Sequence, residues 1–159
     1  FLRLVEHRDA VLIYNWESEV ELRRFTNNDQ PITIELIESL IKEQQNVFDS
    51  GQVRFMICEI KTNLPIGMVD LYNADFDLES AEVGIVIIDH ENRKKGFARA
   101  ALKEIQEYAS NVLGVYCLRS FVDIDNVASN SLFKSLGYKI EHSISDRIEK
   151  AINVFKIDF

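Results

Sequence analysis

EVGIVIIDHENRKKGFARAAL, residues 82–102, is the stretch that decides how this chain is read. Residues 81–88 are β-prone and apolar on both alternating faces apart from Glu82, the pattern of a central strand covered on two sides. A polar connection at 89–95 leads into the longest predicted helix, 96–113, with Ala98, Ala101, Leu102, Ile105, Ala109 and Val112 on one side. The first four N–H groups of a helix have no partner within it and present partial positive charge. A phosphate placed there accepts several hydrogen bonds at once. Gly96 removes a side chain where a phosphate would approach the backbone, and Ala98 keeps the next turn small. Arg93, Lys94 and Lys95 oppose the charge of the helix end, so they call for solvent screening or an anionic ligand. An ordinary basic helix start would read the same way; the anionic ligand is the reading adopted. Neither G-x-G-x-x-G nor a glycine-Lys-Ser/Thr phosphate loop is present, which removes support for hydride transfer and nucleotide hydrolysis.

Upstream of this segment, residues 1–5 read as a strand and 9–16 as a short helix capped by Asp9. Residues 19–29 are polar and carry no clear period. A helix is expected over 33–48, from the spacing of Ile34, Ile37, Ile41 and Phe48, with Pro31 and Thr33 at its start and Gly51 at its end. Strands at 54–60 and 66–72, joined by a turn at 63–65, form a predicted hairpin. Downstream, 117–123 is a strand and 126–136 a helix closed by Gly137 in a left-handed conformation. Strands at 138–143 and 151–159 complete the sheet as a pair around a polar turn at 145–150. The two strand–helix–strand units after residue 80 demand crossover connections, so the sheet is mixed.

Length and composition set the bounds. The chain has 159 residues, 47% of them hydrophobic and ten of them Phe, which is the size and core content of one domain spanning 1–159. No apolar stretch is long enough for a bilayer, and the first residues lack the plan of a signal peptide, so a cytoplasmic location is expected. Cys58 and Cys117 sit in strand-like runs and read as small apolar residues. His7, His90 and His142 show no metal-ligand spacing, and no metal is expected. A net charge of −8 argues against nucleic acid and anionic membranes as partners. It suits a cationic small molecule, although solubility alone also explains it. Monomer and homodimer are left open.

Residues 93–98, RKKGFA, resemble the (Arg/Gln)-x-x-Gly-x-(Gly/Ala) motif of the GNAT superfamily of acetyl-CoA-dependent N-acetyltransferases. AEVGIVI at 81–87, FLRL at the amino end, Trp16, Asn126-x-x-Ser129, Leu132-Phe133 and Gly137-Tyr138 extend the resemblance in order over nearly the whole chain. They point to the branch holding ribosomal-protein and spermidine N-acetyltransferases. The fold implied is the GNAT-like acyl-CoA N-acyltransferase α/β fold, a mixed central sheet of about six or seven strands flanked by helices. The activity implied is transfer of the acetyl group of acetyl-CoA to a primary amine, such as a protein N-terminus or a polyamine. A CoA-binding module without turnover is the competing function.

The resemblance also implies a site. The pyrophosphate of acetyl-CoA rests on backbone amides of Lys94, Lys95, Gly96, Phe97 and Ala98, with Arg93 at the entrance. The pantetheine arm pairs with Val86, Ile87 and Ile88. Asn126 and Ser129 contact the cofactor, each with an alternative role in capping the following helix. Glu82 is the candidate base for the acceptor amine, and the N–H of Ile88 or its neighbour is the candidate oxyanion donor. Where related enzymes carry a tyrosine that protonates the leaving thiolate, this chain has Phe133, which cannot; Tyr138 is the candidate replacement. Asp29, Glu35, Glu38, Asp70, Asp75, Asp77 and Glu79 are candidate attractors of a cationic acceptor, Asp70 foremost because its neighbours are apolar.

Overall fold

The computed structural model describes residues 1–19, 32–44, 46–145 and 151–159. Seven strands form one mixed sheet: β1 (Leu2–Leu4), β2 (Val53–Cys58), β3 (Pro65–Asp75), β4 (Ser80–Ile87), β5 (Cys117–Asp123), β6 (Lys139–Ser145) and β7 (Ala151–Asp158). Their order across the sheet is β1-β2-β3-β4-β5-β7-β6, so the strand expected to be central is the fourth of seven. Only the β4–β5 contact is parallel; β7 lies antiparallel between β5 and β6.

Helices cover both faces of the sheet. On one, α4 (Phe97–Tyr108) and α5 (Val127–Ser135) bury Ala101, Leu102, Ile105 and Phe133 against Val83, Leu118, Val122 and Phe155. On the other, α1 (Ala10–Ser18) and α2 (Ile34–Glu43) bury Ala10, Ile13, Ile37 and Ile41 against Met56, Cys58 and Met68. This two-faced burial is why β2 and β4 read as nearly continuous apolar runs.

Several expectations change. Asp9 does not cap α1. Its carboxylate accepts the Glu6 N–H at 2.8 Å and takes two 2.7 Å hydrogen bonds from Arg3, which ties a short 3₁₀ turn (His7–Asp9) to β1. Burial opposes its charge, but those hydrogen bonds and the charge of Arg3 outweigh it and hold the carboxyl below its ordinary value.

The helix expected over 33–48 divides. Thr33 caps α2 by accepting the Leu36 N–H, and α2 ends at Glu43. The Gln44 side chain accepts the Arg54 N–H at 3.1 Å, Asn46 is extended, and a short α3 (Val47–Ser50) follows, closed by Gly51 at φ 65. Phe48 is thereby left exposed, in ring contact with Phe76 at 5.0 Å.

After Tyr108, helix α4 widens into a π-turn (Ala109–Leu113). The widening rotates Val112 into solvent and Leu113 into the core, contrary to the expected placement of Val112. The polar stretch at 19–29, with Asp29, and Pro31 fall outside the described residues except for Glu19, as does most of the 145–150 turn.

Candidate active site

Two adjacent strands part company at the centre of the sheet. β4 and β5 pair only at Ser80–Cys117, Ala81–Leu118 and Glu82–Arg119. Beyond Glu82 the ladder stops while both strands continue, leaving an opening whose walls are 83–87 on one side and 120–123 on the other.

The register decides which backbone groups line the opening. Ile88 N–H donates to Ile66 C=O, its antiparallel partner on the β3 side, at 3.0 Å. On the other edge of β4, Cys117 N–H donates to Glu79 C=O at 3.1 Å. Alternation then directs the backbone groups of Glu82, Gly84, Val86 and Ile88 to β3, and those of Val83, Ile85 and Ile87 toward β5, where no strand meets them. Val86 thus directs its backbone groups to β3 and the Ile88 N–H is taken by Ile66, which excludes that N–H as oxyanion donor and leaves Ile87 as the one of the three expected residues that faces the gap. Ile85, overlooked in the sequence, faces the gap with Ile87. The parity follows from the pairing with β3, which the letters alone do not reveal.

The carbonyls at the mouth are held by side chains. Arg93 Nε donates to Ile87 C=O at 3.0 Å and Arg93 Nη2 to Ile88 C=O at 3.1 Å. Across the opening, Asn130 Nδ2 donates to Asp123 C=O at 2.8 Å, and Asn130 Oδ1 accepts from Asn153 on β7 at 2.8 Å. Asn130 is buried and was not singled out in the sequence.

At the end of β4 the chain turns through a 3₁₀ turn (His90–Asn92), with Lys94 at φ 60 and Gly96 at φ 89, both left-handed. The first bond of α4 runs from Ala100 N–H to Gly96 C=O. Among the described residues, the N–H groups of Lys94, Lys95, Gly96, Phe97 and Ala98 have no backbone or side-chain acceptor. Left-handed residues in such a turn make a concave row of N–H groups suited to an anion. A Cβ on Gly96 would meet no protein atom within 4 Å, so the space beside this turn is open. Lys94 and Lys95 are exposed and Arg93 is half-buried.

Asn126 caps α5 by accepting the Ser129 N–H through Oδ1 at 3.1 Å, and both side chains are half-buried beside the end of β5. The capping role is therefore filled, with Asn126 Nδ2 and Ser129 Oγ left for other contacts.

Glu82 projects from the face of the sheet that carries α1 and α2, together with Gly84 and Val86; the β3–β4 register runs without a bulge from Gly67–Ile87 to Tyr72–Glu82. Among the described residues it forms no ion pair. Its in-register neighbour Arg119 donates instead to Glu141 at 3.2 Å. Tyr72 stands opposite Glu82 on β3. Burial first, then the charges of Glu82 and Asp70, push the Tyr72 phenol up to about 12.

Asp70, the foremost candidate attractor, is already paired. Arg54 on β2 grips it with Nε at 2.8 Å and Nη2 at 2.9 Å, and reaches Glu17 at the end of α1 with Nη1 at 2.6 Å. Glu17 had no signal in the sequence, because its partner lies 37 residues away. Asp75 accepts the N–H groups of Asp77 and Leu78 in the turn after β3, at the far end from the opening, and Glu79 is in the same turn. Glu35 and Glu38 lie on α2, where Glu38 approaches His7 at 3.6 Å.

Tyr138 is not brought to the opening. It is 3% exposed, packs edge-on against Phe133 with ring centroids 4.9 Å apart, and its Oη has no hydrogen-bond partner. Burial is the main cause that raises its phenol to about 12; the nearby Gln106 side chain pulls the other way and Cys117 pushes with burial. Cys117 begins β5 where β4 and β5 are still paired, so the phenol lies at the closed end. Phe133 is 2% exposed and stacks on Phe155.

Comparison with known proteins agrees with this architecture. The spermidine N(1)-acetyltransferase of Vibrio cholerae is 25% identical over 137 residues, covering 86% of this chain and 77% of that protein. The uncharacterized N-acetyltransferase YoaA of Bacillus subtilis is 27% identical over 141 residues, 88% of this chain and 79% of its own. The crystal structure of the Vibrio cholerae spermidine N-acetyltransferase in complex with CoA and spermine superposes with a TM-score of 0.85 at 22% identity, covering 99% of this chain and 94% of that one. The sequence model of the acetyltransferase (GNAT) domain matches residues 1–139, which contain the parted strands, the amide row and Asn126. The chain belongs to the GNAT acetyltransferase family.

Proposed function

We propose that this protein transfers the acetyl group of acetyl-CoA to the primary amine of a cationic acceptor, a polyamine being the first candidate. The observation that carries the reading is the parting of β4 from β5 after Glu82, with the backbone groups of Val83 and Ile85 and the N–H of Ile87 facing no strand and leading to the amides of 94–98, which have no acceptor among the described residues. Buried backbone donors without partners are costly, so a ligand that pairs them has a physical role there. The pantetheine amides pair with the β4 edge and the pyrophosphate lies on the amide row, with Arg93, Lys94 and Lys95 adding positive charge. Asn126 Nδ2 and Ser129 Oγ reach the cofactor from the opposite wall.

The amine attacks the thioester carbonyl directly. Glu82, unpaired with any described cation and in register with the last rung before the opening, takes its proton. An N–H of the odd-numbered row, Val83 or Ile85, takes the oxyanion role that was expected of Ile88 or its neighbour. On this face Arg54 is taken up by Glu17 and Asp70 and Arg119 by Glu141, so Glu82 pairs with no described cation, which favours a positively charged acceptor. The named activity of the Vibrio cholerae relative supports a polyamine.

A second reading, a CoA-binding module without turnover, is favoured by one observation: neither Phe133 nor the sealed phenol of Tyr138 can protonate a thiolate at the opening. Calorimetry with acetyl-CoA, followed by thiol release across a panel of polyamines, amino acids and N-terminal peptides, separates the two. Transfer predicts binding and amine-dependent thiol release, with Glu82→Gln lowering turnover more than cofactor affinity. Binding without release for every amine supports the module.

A further inference from the structure

The chemistry proposed above leaves one proton without a donor. When the tetrahedral adduct collapses, the C–S bond breaks and its electron pair leaves on sulfur. Phe133 has no proton to give, and Tyr138 points its hydroxyl toward the paired end of β4 and β5. Tyr108 packs edge-on against Phe55 on the α4 side at 5.0 Å, and Tyr116 immediately precedes β5 at the same closed end. Tyr14 is packed into the cluster beneath α1 and α2.

We propose that Tyr72 protonates the departing thiolate at the rim of the opening and is itself reprotonated from Glu82. This rests on the acetyl-transfer reading. Tyr72 is the cross-strand partner of Glu82, the residue beside which the β4–β5 ladder ends. The next residue on the same face of β4 is Gly84, which has no side chain. Tyr72 Cε1 lies 3.6 Å from where a Gly84 Cβ would stand, so the ring leans across β4 in the direction in which the opening widens. A side chain at 84 would compete for that space. The phenol thus shares the acceptor face with Glu82, its ring beside the glycine at which β4 has left β5.

The steps balance. The amine nitrogen bonds to the carbonyl carbon, and one of its protons passes to the Glu82 carboxylate. The C–S bond breaks, and sulfur takes the Tyr72 proton. As it does so the phenol oxygen takes the proton held by Glu82, so both side chains return to their starting states. Neutral amine and acetyl thioester become amide and thiol, with no external acid or base consumed.

The surroundings keep the phenol ready. Glu82 faces it from β4 and Asp70 from its own strand, and both charges oppose its ionisation. Of the cations on this face, Arg54 on β2 is engaged by Asp70 and by Glu17 of α1, and Arg119 on β5 by Glu141, so neither favours a phenolate. Tyr72 therefore stays protonated in the resting site, and its proton moves to sulfur as Glu82 replaces it, so that the net transfer runs from a carboxylic acid to a thiolate.

The test uses the full chain with whichever amine the unmodified protein acetylates. Tyr72→Phe is expected to lower kcat by about 10²-fold, the low end for general acids, with the acetyl-CoA dissociation constant changed by less than about twofold. Replacing Tyr72 alone by a ring-fluorinated tyrosine keeps the packing and makes the phenol more acidic. Its kcat profile should then fall at a lower alkaline pH than that of the unmodified protein. This second variant carries the test if Tyr72→Phe does not fold. A Tyr72→Phe protein that turns over within about twofold of the parent, or a fluorinated protein whose pH profile superimposes on the parent's, overturns the assignment and leaves water as the donor. A parent chain that binds acetyl-CoA but releases no thiol with any amine overturns the acetyl-transfer reading itself, a different result.

Discussion

Glu82 and Arg119 occupy the same rung, the last at which β4 and β5 pair, yet the arginine turns away to Glu141 at 3.2 Å. A carboxylate and a guanidinium side by side would ordinarily neutralise each other. Here the cation is taken up by the β6 edge, and among the described residues the carboxylate has no ion-pair partner where the sheet opens. A base must be free to accept a proton, so the diversion of Arg119 matters as much to the proposed chemistry as the presence of Glu82.

Gly96→Val should weaken CoA binding by at least about tenfold, because the new side chain would enter the open space beside the amides of 94–98. The residue also sits at φ 89, so a β-branched side chain there adds strain of about 1–2 kcal/mol. Calorimetric titration with CoA, on protein shown by circular dichroism to be folded, checks this. Unchanged affinity in a folded variant would remove the pyrophosphate from this turn.

Gly67→Ala should destabilise the fold by about 1–3 kcal/mol. A Cβ at this position would come within 2.2 Å of Val86 C=O and 3.1 Å of Ile87 Cα, both of them backbone. Relief requires β3 and β4 to move apart, and β4 is one wall of the opening. Urea denaturation measures the loss of stability, and a parallel fall in CoA affinity is expected. A variant as stable as the parent would show that this strand pair is looser than described.

Asp9→Asn should cost about 2 kcal/mol at neutral pH, the value of charge-assisted hydrogen bonds from Arg3. The folded carboxyl titrates below its ordinary value, so its stabilisation is complete above the ordinary carboxylate range and is lost as pH falls through the lowered folded value. The gap between parent and variant should therefore be widest near pH 7 and close under acid. Urea midpoints measured down the pH scale check this, and a gap that persists unchanged in acid would mean that the loss is one of packing.

Much of this architecture can be read from the letters where a local rule governs it. The bounds of β5, 117–123, follow from its alternation and the polar residues after it, and Gly137 at φ 91 closes α5 as its lack of a side chain predicts. What escaped depends on partners distant in the chain. The break after Glu43 is supported by Gln44 reaching Arg54, and the commitment of Asp70 to Arg54 appears only once β2 and β3 are paired. The edge of β4 that faces the gap rests on a one-residue matter of register, which is why Val86 and Ile88 were expected beside Ile87 while Ile85 was not. Tyr72 was passed over because half-buried tyrosines in strands are common and nothing local marks one that leans over a glycine.

The placement of β7 between β5 and β6 has a consequence for how the molecule is made. β6 emerges from the ribosome before β7, but it cannot join the sheet until residues 151–158 have been synthesised and inserted beside β5. Until then β5 holds only three rungs with β4, and the wall carrying Asp123 lacks its support from Asn153 through Asn130. A nascent chain that already contains the whole amide row and Glu82 would thus still lack one finished wall of the opening. Its completion waits for a long-range strand insertion, a slow kind of contact for a polypeptide to make.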